Sequence, residues 1–256
     1  MEYQDKVVIV TGAGTGIGRA TVLEFARQGA FVAALGRRLD KLEETLALLP
    51  EPRAALALSV DVSDADAVGE AVRQVATQRG RIDLLVNNAG VIDDYTPVHK
   101  TDVDGWRKVI DINIVGPYLM SRAVIPRMLE QGKGVIINIA SVTGSKAGGG
   151  GSAYTTSKHG LIGLTRALTF EYGTKGIRVN SLSPGATATP MNFPENPSED
   201  FPDIEAVVRE LPAGRFCQPE EIARLAAFLG SDACDYVHGS DYVMDGGWLT
   251  AGHDQF

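Results

Sequence analysis

With 256 residues, 44% of them hydrophobic and 22% charged, the chain has the size and composition of one globular domain with a large core; its 29 glycines are scattered among apolar runs, which excludes disordered and collagen-like chains. A formal charge of −8 excludes a nucleic-acid binder, since neutralising phosphates takes a clustered excess of Lys and Arg. The two cysteines, Cys217 and Cys234, form no CxxC pair, so neither a disulfide framework nor a cysteine-rich zinc site is expected, and both are read as packing residues.

In chain order, Met1–Lys6 leads straight into an apolar run without the charged region, long apolar stretch and cleavage site of a secretory leader, so a cytoplasmic protein is expected. No apolar segment approaches the roughly 20 residues of a membrane-spanning helix. The run Val7–Val10 reads as a strand; a glycine turn, Thr11 to Gly18, comes after it, and then a helical pattern with Val22, Phe25, Ala26 and Gly29 on one face. Further strand-like runs are Phe31–Leu35, Leu56–Val60, Ile82–Val86, Val135–Ile139, Ile177–Leu182 and Tyr242–Met244. Between them, Val68, Ala71, Val72, Val75 and Ala76, and later Ile222, Leu225, Ala226 and Leu229, repeat at helical spacing. The segment Thr189–Pro202, rich in proline and acids, reads as a surface lid.

Apolar strands alternating with helices predict an α/β fold, a doubly wound Rossmann-type domain whose seven-stranded parallel sheet carries helices on both faces. One domain spans residues 1–256, with a cofactor half at about 1–150 and a catalytic and substrate half at about 135–256. The ligand site of such a sheet lies beyond the carboxyl ends of its strands, near the switch in strand order.

The turn Thr11-Gly12-Ala13-Gly14-Thr15-Gly16-Ile17-Gly18 sits between strand and helix, where glycines let the backbone approach a pyrophosphate and free N–H groups favour its charge. The generic G-x-G-x-x-G spacing does not fit; the spacing is T-G-x-x-x-G-x-G. Asn87-Asn88-Ala89-Gly90 then follows the fourth strand, Asn113 lies in the next helix, Ser141 ends the fifth strand, Tyr154-x-x-x-Lys158 opens a helix, and Pro184-Gly185 with Thr189 follows the sixth strand. In these motifs, in this order over residues 11 to 189, the chain resembles the short-chain dehydrogenase/reductase family.

Tyr154 and Lys158 are four residues apart, so on a helix they share a face at roughly 6 Å along the axis. A nearby ammonium favours phenolate and is expected to lower the tyrosine's pKa towards working pH. The pair standing alone is also an ordinary surface pair; Ser141 and Asn113 in register favour the catalytic reading. The resemblance implies that Tyr154 is the acid/base of hydride transfer between a nicotinamide and a carbonyl or secondary alcohol. It further implies that Lys158 holds the nicotinamide ribose, that Ser141 hydrogen-bonds the substrate oxygen, and that Asn113 positions a water in a proton relay.

By the same resemblance Gly12, Thr15, Gly16, Ile17 and Gly18 form the cofactor turn, Asn88, Ala89 and Gly90 approach the cofactor, and Pro184, Gly185, Thr187 and Thr189 lie near its carboxamide and phosphates. Asp61 and Val62 match the adenine contact, with a helix N-cap as the other reading of Asp61. After the second strand, Gly36 stands where an NAD-preferring site carries an acid, and Arg37 and Arg38 come next, so NADP(H) is expected ahead of NAD(H). Solvated surface charge is the alternative for the two arginines.

The substrate pocket is expected between Val142–Gly151, Asp93–Tyr95 and the lid around Met191–Pro202, with Gly148–Gly151 leaving one wall bare and mobile. Glu195, Glu199, Asp200 and Asp203 disfavour anionic substrates unless they form only a solvated lid face. His159 is read as packed or interfacial, and His99, His238 and His253 show no metal-ligand spacing, so no metal is expected. The segment Gly239–Trp248 resembles the family's seventh strand and subunit-contact region, which implies a homotetramer. Within the family, 3-oxoacyl thioester, sugar or polyol, and ketone substrates all stand open. A noncatalytic nicotinamide-binding redox sensor is the reading outside enzymology.

Overall fold

The computed structural model describes residues 2–50, 55–93, 95–193, 203–209 and 211–251. Seven parallel strands form one sheet in the order β3-β2-β1-β4-β5-β6-β7. They are β1 (Val7–Thr11), β2 (Phe31–Gly36), β3 (Ala55–Ser59), β4 (Leu84–Asn87), β5 (Gly134–Ile139), β6 (Ile177–Pro184) and β7 (Asp241–Met244). The apolar runs form strands because a parallel sheet covered on both faces buries its central strands: β1, β4, β5 and β6 are buried throughout, while the edge strands β3 and β7 are half-buried.

Successive residues of a strand feed opposite layers. Val7, Ile9 and Ala33 pack with Val68 and Val72 of α3 (Ala65–Arg79) and with Met120 and Val124 of α5 (Gly116–Gln131). Val8, Val10 and Ala34 pack on the other face with Val22 and Phe25 of α1 (Gly16–Arg27) and Ile222 and Ala226 of α8 (Pro219–Gly230). The remaining helices are α2 (Leu39–Ala47), α4 (Val103–Ile110), α6 (Ser152–Tyr172), α7 (Ile204–Arg209) and α9 (Trp248–Ala251).

The chain builds outward from β1 to β3, then returns to pair β4 with the other edge of β1. Loops leaving β1 and β4 therefore diverge, which opens a crevice at their carboxyl ends.

Local corrections to the sequence reading are small and have physical causes. Gly29 is outside α1: the helix stops at Arg27, and Gly29 takes φ 94° in the turn to β2. Ile82 is fully buried but precedes β4, its N–H bonded to the Gln131 side chain in place of a strand partner. Asn113 lies in a π-helical turn, Asp111–Val115, that joins α4 to α5. Asp64, not Asp61, caps α3, accepting from the N–H groups of Asp66 and Ala67.

Cys234 is buried, Cys217 is half-buried, and neither forms a disulfide. His99, His159 and His238 are exposed, so His159 is not packed within this chain; its Nδ1 faces Thr155 O at 2.9 Å. His253 lies outside the described residues, as do Glu195, Glu199, Asp200 and the lid beyond Phe193. Among the described residues no helix is long and apolar enough to cross a membrane, and no cluster of His, Cys, Asp and Glu could hold a metal.

Candidate active site

The crevice is a cavity of about 440 Å³ along the carboxyl edge of the sheet. Of the residues named from sequence as catalytic or cofactor-binding, all line it except Gly18 and Asn113. Gly18 stands behind the turn, where a Cβ would collide with Gly12 O, so its role is to let helix and turn close on each other.

The floor is a clamp between the ends of β1 and β4. Thr11 Oγ1 accepts from the N–H groups of Asn88 and Ala89, both at 3.0 Å, while Asn88 Nδ2 donates to Thr11 O at 2.9 Å. Asn87 turns inward and donates to Asn138 Oδ1 at 2.9 Å, so it belongs to the core. The glycine turn needs glycine: Gly12 and Gly16 have φ of 64° and 52°, and a Cβ on Gly12 would lie 2.8 Å from Ala89 Cα. Arg19 braces the turn, donating to Gly14 O at 2.8 and 3.1 Å, and Thr45 Oγ1 donates to Ala13 O at 3.1 Å.

These residues fit a nicotinamide dinucleotide. Thr15 gives α1 no side-chain cap, which leaves the N–H groups of the first turn for a pyrophosphate, and Thr189 packs beside Gly16 at the same point. Arg37 and Arg38 are exposed at the end of β2, whose last residue, Gly36, carries no carboxylate. Asp61 faces the cavity with its carboxylate bonded to Ser63 N and Oγ, and those bonds, helped by the charge of Arg37, hold its pKa below the usual carboxylate value.

At the opposite end, the first two turns of α6 bring Tyr154 and Lys158 to one face, both buried. Lys158 Nζ donates to Ile139 O at 2.8 Å and lies 5.5 Å from the centroid of the Tyr154 ring. Burial pushes the amine down to about 8. It also pushes the Tyr154 phenol up to about 12, against the opposite pull of the Ser141 hydroxyl. The direction is thus opposite to the expected acidification by the lysine neighbour: desolvation of the phenolate raises the pKa, and the charges of Tyr95 and Asp93 add to it. Ser141, buried at the end of β5, accepts from Thr143 N and Oγ1 at 3.2 and 2.7 Å.

Asn113 works from behind. Its Oδ1 accepts from Val91 N at 2.9 Å, and its Nδ2 donates to Val91 O at 2.9 Å and Ser157 Oγ at 3.0 Å. Both amide hydrogens are committed, and one lone pair of Oδ1 remains for a water. The π-turn carries this side chain; such turns insert an extra residue and re-aim the helix beyond them.

Asp93, placed in the pocket wall from sequence, instead anchors α6. Its carboxylate accepts from Gly151 N at 2.6 Å, Ala153 N at 3.0 Å and Tyr154 N at 3.2 Å. The glycine run is correspondingly tight, not bare: a Cβ on Gly149 would lie 2.8 Å from Thr143 and Trp248, on Gly150 2.5 Å from the Tyr154 ring, and on Gly151 2.6 Å from Asp93. Only Gly148 has open space beside it. Sequence reading missed Leu211 and Trp248, which line the cavity; the segment ending at Trp248 reads from sequence as a subunit contact. The one available signal was the Asp245-Gly246-Gly247 turn, whose carboxylate accepts from Gly247 N and Leu249 N, both at 2.8 Å.

Residues 12–249 match the family model described as enoyl-(acyl carrier protein) reductase. Among curated proteins, the chain is 40% identical to D-threitol dehydrogenase of Mycolicibacterium smegmatis, covering 95% of this chain and 92% of that protein. It is 38% identical to the 3-oxoacyl-[acyl-carrier-protein] reductase FabG of Thermotoga maritima over 96% of this chain and 99% of the relative. A solved structure described as an NAD(P)-dependent gluconate 5-dehydrogenase of Beutenbergia cavernae, with NADP bound at low occupancy, superposes with a TM-score of 0.88 at 37% identity, covering 96% of this chain and 97% of that one.

Proposed function

The chain belongs to the short-chain dehydrogenase/reductase family, as an oxidoreductase that uses a nicotinamide cofactor on CH–OH and C=O groups, and from that premise we propose that Tyr154 is its proton donor and acceptor, with Ser141, Lys158 and Asn113 in support. The observation that carries this reading is a buried phenol, a buried hydroxyl and a buried amine that all line one cavity, the amine 5.5 Å from the phenol ring. When bound, the nicotinamide supplies or accepts the hydride.

At neutral pH Tyr154 keeps its proton, which suits it to donate to an oxygen that gains charge as the carbonyl is reduced. Ser141 donates a hydrogen bond to the same oxygen, and the water-poor wall strengthens that bond. In the oxidation direction the phenol must give up its proton first, and Lys158 in its charged form lowers the cost of doing so. Lys158, fixed on Ile139 O, also binds the ribose, and Asn113, through Val91 and Ser157, keeps the loop after β4 and α6 in register and offers its free lone pair to a relay water.

NADP(H) is the favoured cofactor: two exposed arginines with no hydrogen-bonded acid among the described residues follow β2, and a guanidinium recognises a 2′-phosphate. Gly12, Thr15, Gly16 and Ile17 hold the pyrophosphate, Asp61 and Val62 the adenine, and Asn88, Ala89, Gly90, Pro184, Gly185, Thr187 and Thr189 the remainder. The cofactor half is about residues 1–150 and the catalytic and substrate half about 135–256, the second half reaching the cofactor through Pro184–Thr189. The protein works in the cytoplasm as a homotetramer, which light scattering checks.

Absorbance of the reduced cofactor, followed against a panel of ketones and secondary alcohols, tests the reading. Tyr154→Phe is expected to lower turnover by about a thousandfold or more while cofactor binding persists. Unchanged turnover in that variant would sink the assignment.

A further inference from the structure

We infer that the substrate is a neutral ketone or secondary alcohol whose body beyond the reacting carbon is apolar, a ring or branched alkyl group, and not a carboxylate, a phosphate ester or a polyol. This rests on the proposed role of Tyr154 and adds what surrounds the substrate there.

The charges that line the cavity are unevenly placed. Arg37, Arg38, Lys41 and Asp61 follow β2 and β3. Tyr154 and Ser141 stand at the end of β5, three strands away from β2 in the sheet order, or roughly 14 Å at the usual strand spacing. The other lining charge, Lys158, is buried and turned onto Ile139 O. The uncharged lining includes Ile92, Tyr95, Val142, Met191, Leu211 and Trp248, with the Asn192 amide beside Met191 donating to Thr187 O at 2.8 Å.

Among the described residues that wall carries no cation and no anion. Its ionisable group, the Tyr95 phenol, is pushed up to about 12 by burial and is neutral at working pH. Asp93, next to the wall in sequence, is spent on three N–H groups of the α6 N-terminus.

The wall is also held in place. The Asp245 carboxylate fixes the turn before Trp248, and Gly149 has no side chain where the Trp248 ring passes. The next residue, Gly150, is pressed against the Tyr154 ring, so the indole and the proton donor border the same short segment. A carboxylate brought here loses its water and finds no cation in exchange, a row of hydroxyls finds only the few polar groups of Ser141, Tyr95 and Asn192 among aliphatic and aromatic carbon, and an apolar body gains by the same transfer.

A matched set of substrates tests this: a cyclohexanone bearing a methyl ester, the same ring bearing the free carboxylate, and a small polyhydroxylated ketose, each with NADPH and with NADH. Wild-type kcat/KM is expected to favour the ester over both others by on the order of a hundredfold. Trp248→Arg should narrow the gap to the carboxylate by about tenfold, and Trp248→Phe should preserve it. Equal or better turnover of the carboxylate or the ketose by the wild-type protein overturns the inference and leaves the role of Tyr154 standing. No turnover of any of the three, with the cofactor bound, overturns both.

Discussion

Replacing Lys158 by methionine keeps the length of the side chain and removes its amine, and the expected product is an inactive but more stable protein. Lys158 is 4% exposed, pairs with no carboxylate among the described residues, and is held by one carbonyl at 2.8 Å. Burial lowers its pKa from the ordinary 10.5 to about 8. At about 1.4 kcal/mol for each tenfold change, keeping the charged amine in the fold at pH 7 costs about 3 kcal/mol.

Because the folded pKa is depressed, that cost is fully present below pH 8, where both folded and unfolded chains carry the proton. It is relieved as the pH rises from about 8 towards 10.5, where the unfolded chain binds more protons than the folded one. Lys158→Met removes the cost and gives up one hydrogen bond worth about 1 kcal/mol, for a net gain of about 2 kcal/mol at pH 7. Urea unfolding of both proteins at pH 7 and pH 10 reads this directly: the variant is the more stable at pH 7, and its advantage shrinks or reverses at pH 10. A variant equally or less stable at pH 7, with no change in the difference between the two pH values, would refute the argument that Lys158 is held against its own desolvation.

Asp93→Ala removes the acceptor for three N–H groups at the start of α6 and is expected to cost about 2 kcal/mol of stability and lower kcat, with Asp93→Asn in between; thermal unfolding and steady-state kinetics check both. Gly36→Asp puts a carboxylate at the end of β2, where a Cβ meets only ordinary contact with Leu42 at 3.4 Å, and is expected to shift the NADPH to NADH ratio of kcat/KM by on the order of a hundredfold towards NADH. Gly150→Ala drives a methyl group into the Tyr154 ring and is expected to lower kcat by about a hundredfold, with cofactor affinity, measured by titration, little changed.

The fold was legible because parallel strands buried on both faces leave unbroken apolar runs, and Val7–Val10 or Val135–Ile139 could hardly be anything else. Tyr154, Lys158 and Ser141 were legible for a local reason: helical spacing and a strand end fix where such side chains emerge. What stayed hidden was set by residues distant in the chain. Asp93 reads as a loop acid until α6, some 60 residues later, brings its N-terminus beneath it. Trp248 reads as the end of a turn until Gly149 makes room for its ring. The phenol's pKa went the opposite way from the sequence argument because a spacing of four residues reports the lysine's proximity and says nothing of how dry the site is.

The π-turn at Asp111–Val115 makes α4 and α5 a single rod carrying one surplus residue. Wound as an ordinary α-helix with all its residues kept, this stretch would swing everything downstream by about 100° around the axis. The rod could then keep Asn113 against Val91, or seat Met120, Val124 and Met128 on the sheet, but not both. The surplus residue, taken up in the wide turn, thus lets one helix answer to two registers, one set by the core and one by the cleft.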